Sequence, residues 1–208
     1  MNNKGMSLVY VWDAYCGWCY GFSDSLKAFH ASHPELKLTV LSGGLFIGSK
    51  KSSIGSYPHI PEANKRIHKL TGAEFGEKYE KLLEEGSFVL DSEAAARGLS
   101  ALKYFAPDKA YKLASEMQIK FYVEGKSLSS EKTYLEIARN NSLDADAVIN
   151  RFNSNISAKD AYNEFEQVQA LGINSFPTLL LKKGDELIPL GGGVMTNEKL
   201  EIRLNEAM

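Results

Sequence analysis

No stretch of this 208-residue chain is long and apolar enough to span a bilayer. An excess of one charge is missing too. Lys and Arg total 24 against 26 Asp and Glu, a net charge of −2. No basic field therefore speaks for nucleic acid or an anionic membrane surface. The N-terminal run Met1-Asn2-Asn3-Lys4-Gly5-Met6 has neither an apolar core nor a small-residue cleavage site, so no signal peptide is expected and a cytoplasmic location is. There is no internal repeat and no low-complexity tract. Gly191-Gly192-Gly193 lacks the spacing and the lysine of a phosphate loop, so it reads as backbone room beside another element. Hydrophobic content of 44% and charged content of 24% are ordinary for a globular protein.

Cysteine is scarce as well, and its placement carries the argument. The chain has two cysteines, and both lie in Cys16-Gly17-Trp18-Cys19. Ahead of them, Leu8-Val9-Tyr10-Val11-Trp12 is a β-branched and aromatic run that predicts a buried strand. Behind them, Trp18, Phe22, Leu26 and Phe29 recur at helical spacing. Cys16 therefore sits where a strand ends and a helix begins. Unpaired N–H groups and the helix dipole favour an anion there, so Cys16 is expected as the thiolate nucleophile. Cys19, one turn further in, is expected to be more buried and to act as the resolving thiol. Attack of a thiolate on a disulfide makes a mixed disulfide, and a second thiol at i+3 can release it. A cytosolic setting would keep the pair mostly reduced.

A metal clamp is the competing chemistry. His30 and His33 follow at a spacing near that of a zinc finger. The histidine pair is one residue too tight, and the first cysteine pair of such a site would sit on a hairpin. Pro34 also ends the helix at His33. The histidines read instead as polar residues at a helix C-terminus, and no metal site is expected.

Further along, Leu36, Leu38 and Val40 alternate with polar residues as a strand that ends at Ser42-Gly43-Gly44. Residues 45–61 read as a long loop. From Pro61 to Leu171 the pattern is nearly all helical. Thr71 and Glu74 form a capping-box pattern ahead of Phe75, Tyr79, Leu82 and Leu83. Asp91 or Ser92 caps the next helix, Pro107 opens another that Gly125 ends, and helices follow over 131–140, 144–152 and up to Gly172. Phe176-Pro177-Thr178-Leu179-Leu180-Leu181 and 186–190 then form a hairpin of strands, with Pro189 marking an edge. A last helix is capped by Thr196. The order is β-α-β, a helical block, then α-β-β-α. This predicts an α/β protein with one mixed sheet and an inserted helical block: residues 1–60 and 165–208 around an insertion over 61–164.

The motif Asp13-Ala14-Tyr15-Cys16-Gly17-Trp18-Cys19-Tyr20-Gly21-Phe22, the helical insertion and Gly172-Ile173-Asn174-Ser175-Phe176-Pro177-Thr178-Leu179 together resemble the DsbA-like family of thioredoxin-fold thiol–disulfide oxidoreductases, in its signal-less bacterial branch. The resemblance covers most of the chain. It implies a thioredoxin fold with an inserted helical domain, catalysis by Cys16 and Cys19, and a cis proline at Pro177 packed against the pair. It implies that the backbone of Phe176 pairs with extended substrate, and that Gly17 and Trp18 belong to the same substrate-binding surface. Expected partners are protein or peptide thiols and disulfides, with glutathione as the small-molecule candidate. No cofactor beyond the redox disulfide is implied. Two departures from the family pattern stand out. Tyr10 occupies the position, six residues before the first cysteine, where thioredoxins and periplasmic oxidants carry an acid. The intervening Gly17-Trp18 has no histidine to stabilise a thiolate. Both argue for a mid-range or reducing potential. Asp13 is the nearest acid. Two other functions share part of the pattern. Kappa-class glutathione transferases and chromene-carboxylate isomerases have this fold and insertion, but usually a serine at the first cysteine. A redox-sensing or zinc-holding binding module is the non-enzymatic reading.

Overall fold

A computed structural model describes residues 5–208. The expectations for the N-terminal run through residue 4, including the absence of a signal peptide, lie outside the described residues. The chain begins with strand β1 (Met6–Trp12), helix α1 (Gly17–Ser32) and strand β2 (Lys37–Ser42). A pair of two-residue strands, β3 (Ser52–Ser53) and β4 (Val89–Leu90), brackets helices α2 (Ile60–Thr71) and α3 (Glu77–Glu85). Helices α4 (Ser92–Phe105), α5 (Ala110–Tyr122), α6 (Glu131–Asn140), α7 (Ala145–Phe152) and α8 (Asn155–Ala170) follow. Strands β5 (Thr178–Lys183) and β6 (Glu186–Gly191) and helix α9 (Asn197–Ala207) complete the chain. Among the described residues no helix is long and apolar enough to cross a membrane.

The main sheet has the order β2-β1-β5-β6. β1 runs parallel to β2, with Tyr10 beside Val40, and antiparallel to β5, with Tyr10 beside Leu179. β6 is the edge strand that Pro189 requires, because proline cannot donate to a ladder on both sides. Alternation along β1 splits its side chains between two cores. Leu8, Tyr10 and Trp12 join Phe22, Leu26 and Phe29 of α1 and Leu200 and Leu204 of α9. The same core continues into the helices through Leu99, Met117 and Phe121. Val9 and Val11 face the other way, with Leu41, Leu180 and Val168 of α8.

Two sequence expectations change. Thr71 and Glu74 do not form a capping box. Thr71 is the last residue of α2, and its hydroxyl donates to the Ile67 carbonyl at 2.8 Å. Gly72 follows in the left-handed region (φ 77°), which terminates the helix, and α3 starts behind Gly76. A glycine at C′ outweighs a pairing that needs Thr71 to be extended. The expected loop over 45–61 is also more ordered than its composition suggests. It holds two 3₁₀ turns, Gly48–Lys50 and Ile54–Ser56, and the strand pair of Ser52 with Leu90.

Candidate active site

The connection from β1 to α1 takes only residues 13–16, and Asp13 shapes it. Its Oδ1 accepts from the Tyr15 N–H at 3.0 Å, a local side-chain turn. Its backbone carbonyl accepts from the Cys16 N–H at 3.2 Å. Cys16 has extended backbone (φ −85°, ψ 107°) and is the N-cap of α1. The cap is a sulfur: Cys16 Sγ accepts from the Cys19 N–H at 3.3 Å. Helix N-caps usually carry oxygen acceptors, so a thiol here lies in line with the helix dipole and its unpaired N–H groups.

Both cysteines are free thiols, and the second is the more deeply buried. Cys16 is 5% exposed and Cys19 0%. Burial pushes the Cys19 thiol well above its ordinary value, and its hydrogen bond to Cys16 adds to the shift. The Tyr10 phenol is fully buried beside Cys19, and burial first, then Cys19, raises its own proton affinity. So the residue six positions before the first cysteine is a phenol touching the inner thiol.

Asp13 does not reach into that space with its carboxylate. Oδ2 accepts from the Leu45 N–H at 2.8 Å, and Oδ1 also accepts from the Ser92 hydroxyl at 3.0 Å. Ser92 Oγ in turn accepts from the Phe46 N–H at 3.0 Å. Burial raises the Asp13 carboxyl from its ordinary value, and the hydrogen bonds from Leu45, Tyr15 and Ser92 oppose that. One buried carboxylate thus ties the cysteine turn, the loop after β2 and the start of α4 together.

The second half of the site comes from the far end of the chain. The Cys16 thiol donates to the Phe176 carbonyl at 3.5 Å, across 160 residues of sequence. The Phe176–Pro177 peptide bond is cis. Cys16, Gly17 and Trp18 line a cavity of about 130 Å³ with Tyr15, Phe46 and Asn64. Gly17 has a packing role as well: a Cβ there would come within 2.8 Å of Ile67 Cδ1 on α2. Trp18 is partly exposed, with the Arg66 guanidinium 5.8 Å from its ring centroid. A larger groove of about 490 Å³ between α2 and α3 shares Asn64 and Tyr79 with this cavity, and Asn64 Nδ2 donates to the Tyr79 hydroxyl at 3.0 Å.

Of the six residues singled out from sequence, Cys16, Gly17, Trp18 and Cys19 lie at the start of α1, and the carbonyl of Phe176, which precedes Pro177 across a cis bond, meets the Cys16 thiol. The histidines do not join them. His30 Nε2 pairs with the Leu36 carbonyl at 3.1 Å, and His33 with Glu201 at 2.9 Å. Sequence reasoning missed Asn64, Phe46 and Ser92. Asn64 could have been suspected as a polar residue on the inward face of an amphipathic helix. Phe46 and Ser92 carry no local signal.

A four-stranded mixed sheet with a thiol pair opening its first helix and a cis-proline turn facing it defines a thioredoxin-fold protein. The sequence profile of the DSBA-like thioredoxin domain matches residues 7–201, and the chain belongs to that family of thiol–disulfide oxidoreductases. No curated protein sequence matches significantly. Among solved structures it is similar to a candidate protein disulfide isomerase from Nitrosomonas europaea, with 24% identity over 98% of this chain and 97% of that one and a TM-score of 0.85. It is also similar to the cytosolic disulfide reductase DsbM from Pseudomonas aeruginosa, with 24% identity over 97% of both chains and a TM-score of 0.81. DsbM solved with glutathione aligns with a TM-score of 0.78, again at 24% identity over 97% of both chains.

Proposed function

We propose that the protein is a thiol–disulfide oxidoreductase that uses Cys16 and Cys19 on protein or peptide disulfides in the cytoplasm. The observation that carries this reading is the placement of Cys16. It caps a helix, is the more accessible of two adjacent thiols, and faces a backbone carbonyl that a substrate strand could share. Cys16 as thiolate attacks one sulfur of a substrate disulfide. A Cys16–substrate disulfide forms, and the other substrate sulfur leaves and takes up a proton. Cys19 then attacks the Cys16 sulfur. The Cys16–Cys19 disulfide forms, the second substrate thiolate leaves and is protonated, and the substrate is reduced by two electrons while the pair is oxidised. A low-molecular-weight thiol such as glutathione would re-reduce the pair, a partner supported by the DsbM structure with glutathione. DsbM is described as cytosolic, which supports the proposed compartment. The division into residues 1–60 with 165–208 around an insertion over 61–164 belongs to the same reading, with the insertion covering one side of the site.

Trapping tests the roles. C19A incubated with a disulfide-bonded peptide should accumulate a Cys16–peptide adduct visible by mass spectrometry, while C16S should form none. An adduct at Cys19, or substrate reduction by C16S, would overturn the assignment. Turnover that survives C19A and needs glutathione would instead favour a glutathione-dependent transferase or isomerase.

A further inference from the structure

Gly43 has no conformational reason to be glycine. Its φ lies outside the left-handed region, and it follows directly on β2. Space explains it. A Cβ on Gly43 would lie 2.2 Å from Cε1 and 2.3 Å from Cζ of Phe176. The phenyl ring therefore rests on bare backbone. The next residue of the turn has a similar seat: a Cβ on Gly192 would lie 2.2 Å from the Pro177 carbonyl oxygen.

The floor beneath Phe176 is held firmly. The Ser42 N–H donates to Glu164 Oε2 at 2.9 Å, and Lys103 pairs with the same carboxylate. The Gly43 N–H donates to the Trp12 carbonyl at 2.7 Å. The Leu45 N–H donates to buried Asp13 at 2.8 Å. The same Asp13 holds the Cys16 N–H through its backbone carbonyl. Residues 42–45 are thus tied to the end of β1 and the turn that carries the nucleophile, and the Phe176 ring sits on Gly43 within them. We infer that the 42–45 segment is a rigid seat, with Gly43 as a positioning residue that sets the distance between the Phe176 carbonyl and Cys16. The inference rests on the oxidoreductase reading, in which that carbonyl helps to hold substrate beside the thiol.

Non-bonded carbons need about 3.5–4.0 Å. A methyl group on Gly43 must therefore push the Phe176 ring away by more than about 1 Å, because the floor is hydrogen-bonded in place. Displacing the carbonyl removes a substrate hydrogen bond made in both ground and transition states, so the loss falls on KM rather than kcat. The decisive experiment compares wild type, G43A, F176A and G43A/F176A in reduction of a peptide disulfide. G43A should lose about fivefold in kcat/KM, the effect of one hydrogen bond, mainly through KM. In the F176A background, where no ring stands over residue 43, the same substitution should cost less than about twofold. Equal losses in both backgrounds, or G43A at the wild-type rate, would overturn the inference. If G43A alone does not fold, a folded G43A/F176A supports the seat and an unfolded one refutes it. A wild-type protein that neither turns over nor forms a Cys16 adduct would fail the oxidoreductase reading instead. The urea midpoints of the same four proteins would still decide the seat, since they too must be non-additive.

Discussion

Removing the Asp13 carboxylate should loosen three parts of the molecule at once. Its two oxygens accept from the Tyr15 N–H, the Leu45 N–H and the Ser92 hydroxyl, and the residue is 2% exposed. D13A leaves these donors without a partner. Each unsatisfied buried donor costs about 1–3 kcal/mol. Relief of the buried charge offsets part of that, so the net loss should be about 3 kcal/mol. D13N separates the terms. Tyr15 and Ser92 both bond Oδ1, which an asparagine oxygen can replace, while its NH₂ would face the Leu45 N–H, donor against donor. Its loss should be about 1–2 kcal/mol. Urea unfolding followed by Trp12 and Trp18 fluorescence would measure both. A loss below about 1 kcal/mol for D13A, or a D13N as unstable as D13A, would refute this hydrogen-bond accounting.

The pH dependence has a definite sign. Burial holds the folded carboxyl above its ordinary value of 3.8, so the folded state binds the proton more tightly than the unfolded chain. The contribution of this group to stability is fully present below the unfolded value and is lost as pH rises through the folded one. The stability gap between wild type and D13N should therefore narrow as pH rises above 3.8.

Two further outcomes follow from the geometry. At neutral pH, iodoacetamide should label Cys16 and spare Cys19 until denaturant is added, because Cys19 is fully buried with its thiol pushed up by that burial; equal labelling rates in the native protein would contradict it. K103M should cost about 1–3 kcal/mol, since it leaves Glu164 without its cation at a largely buried position, and K103M/E164Q should recover part of that loss; a double mutant less stable than K103M would speak against the pair.

Much of the site could be read along the chain because its parts are local. The strand-to-helix transition at Cys16 follows from the β-branched and aromatic run before the cysteines and the helical spacing behind them. The helix boundaries near Asp91, Asp144 and Thr196 follow from capping residues whose signals span three or four positions. The Thr71–Glu74 pattern failed because two local signals competed and the left-handed Gly72 prevailed. Phe176 and Pro177 were reached through resemblance, since nothing in their neighbourhood points at a thiol 160 residues away.

What the sequence determined by itself was the order of elements, the polarity of their faces and the place of the two cysteines at the start of the first helix. These depend on spacing within a turn or a strand. The tertiary structure alone decided how the pair is surrounded. It brought the Tyr10 phenol against Cys19, turned the Asp13 carboxylate toward Leu45 and Ser92, and laid the Phe176 ring on the bare backbone of Gly43. Each of these joins residues at least nine positions apart. Sheet register and helix packing set such meetings, and no local preference encodes them.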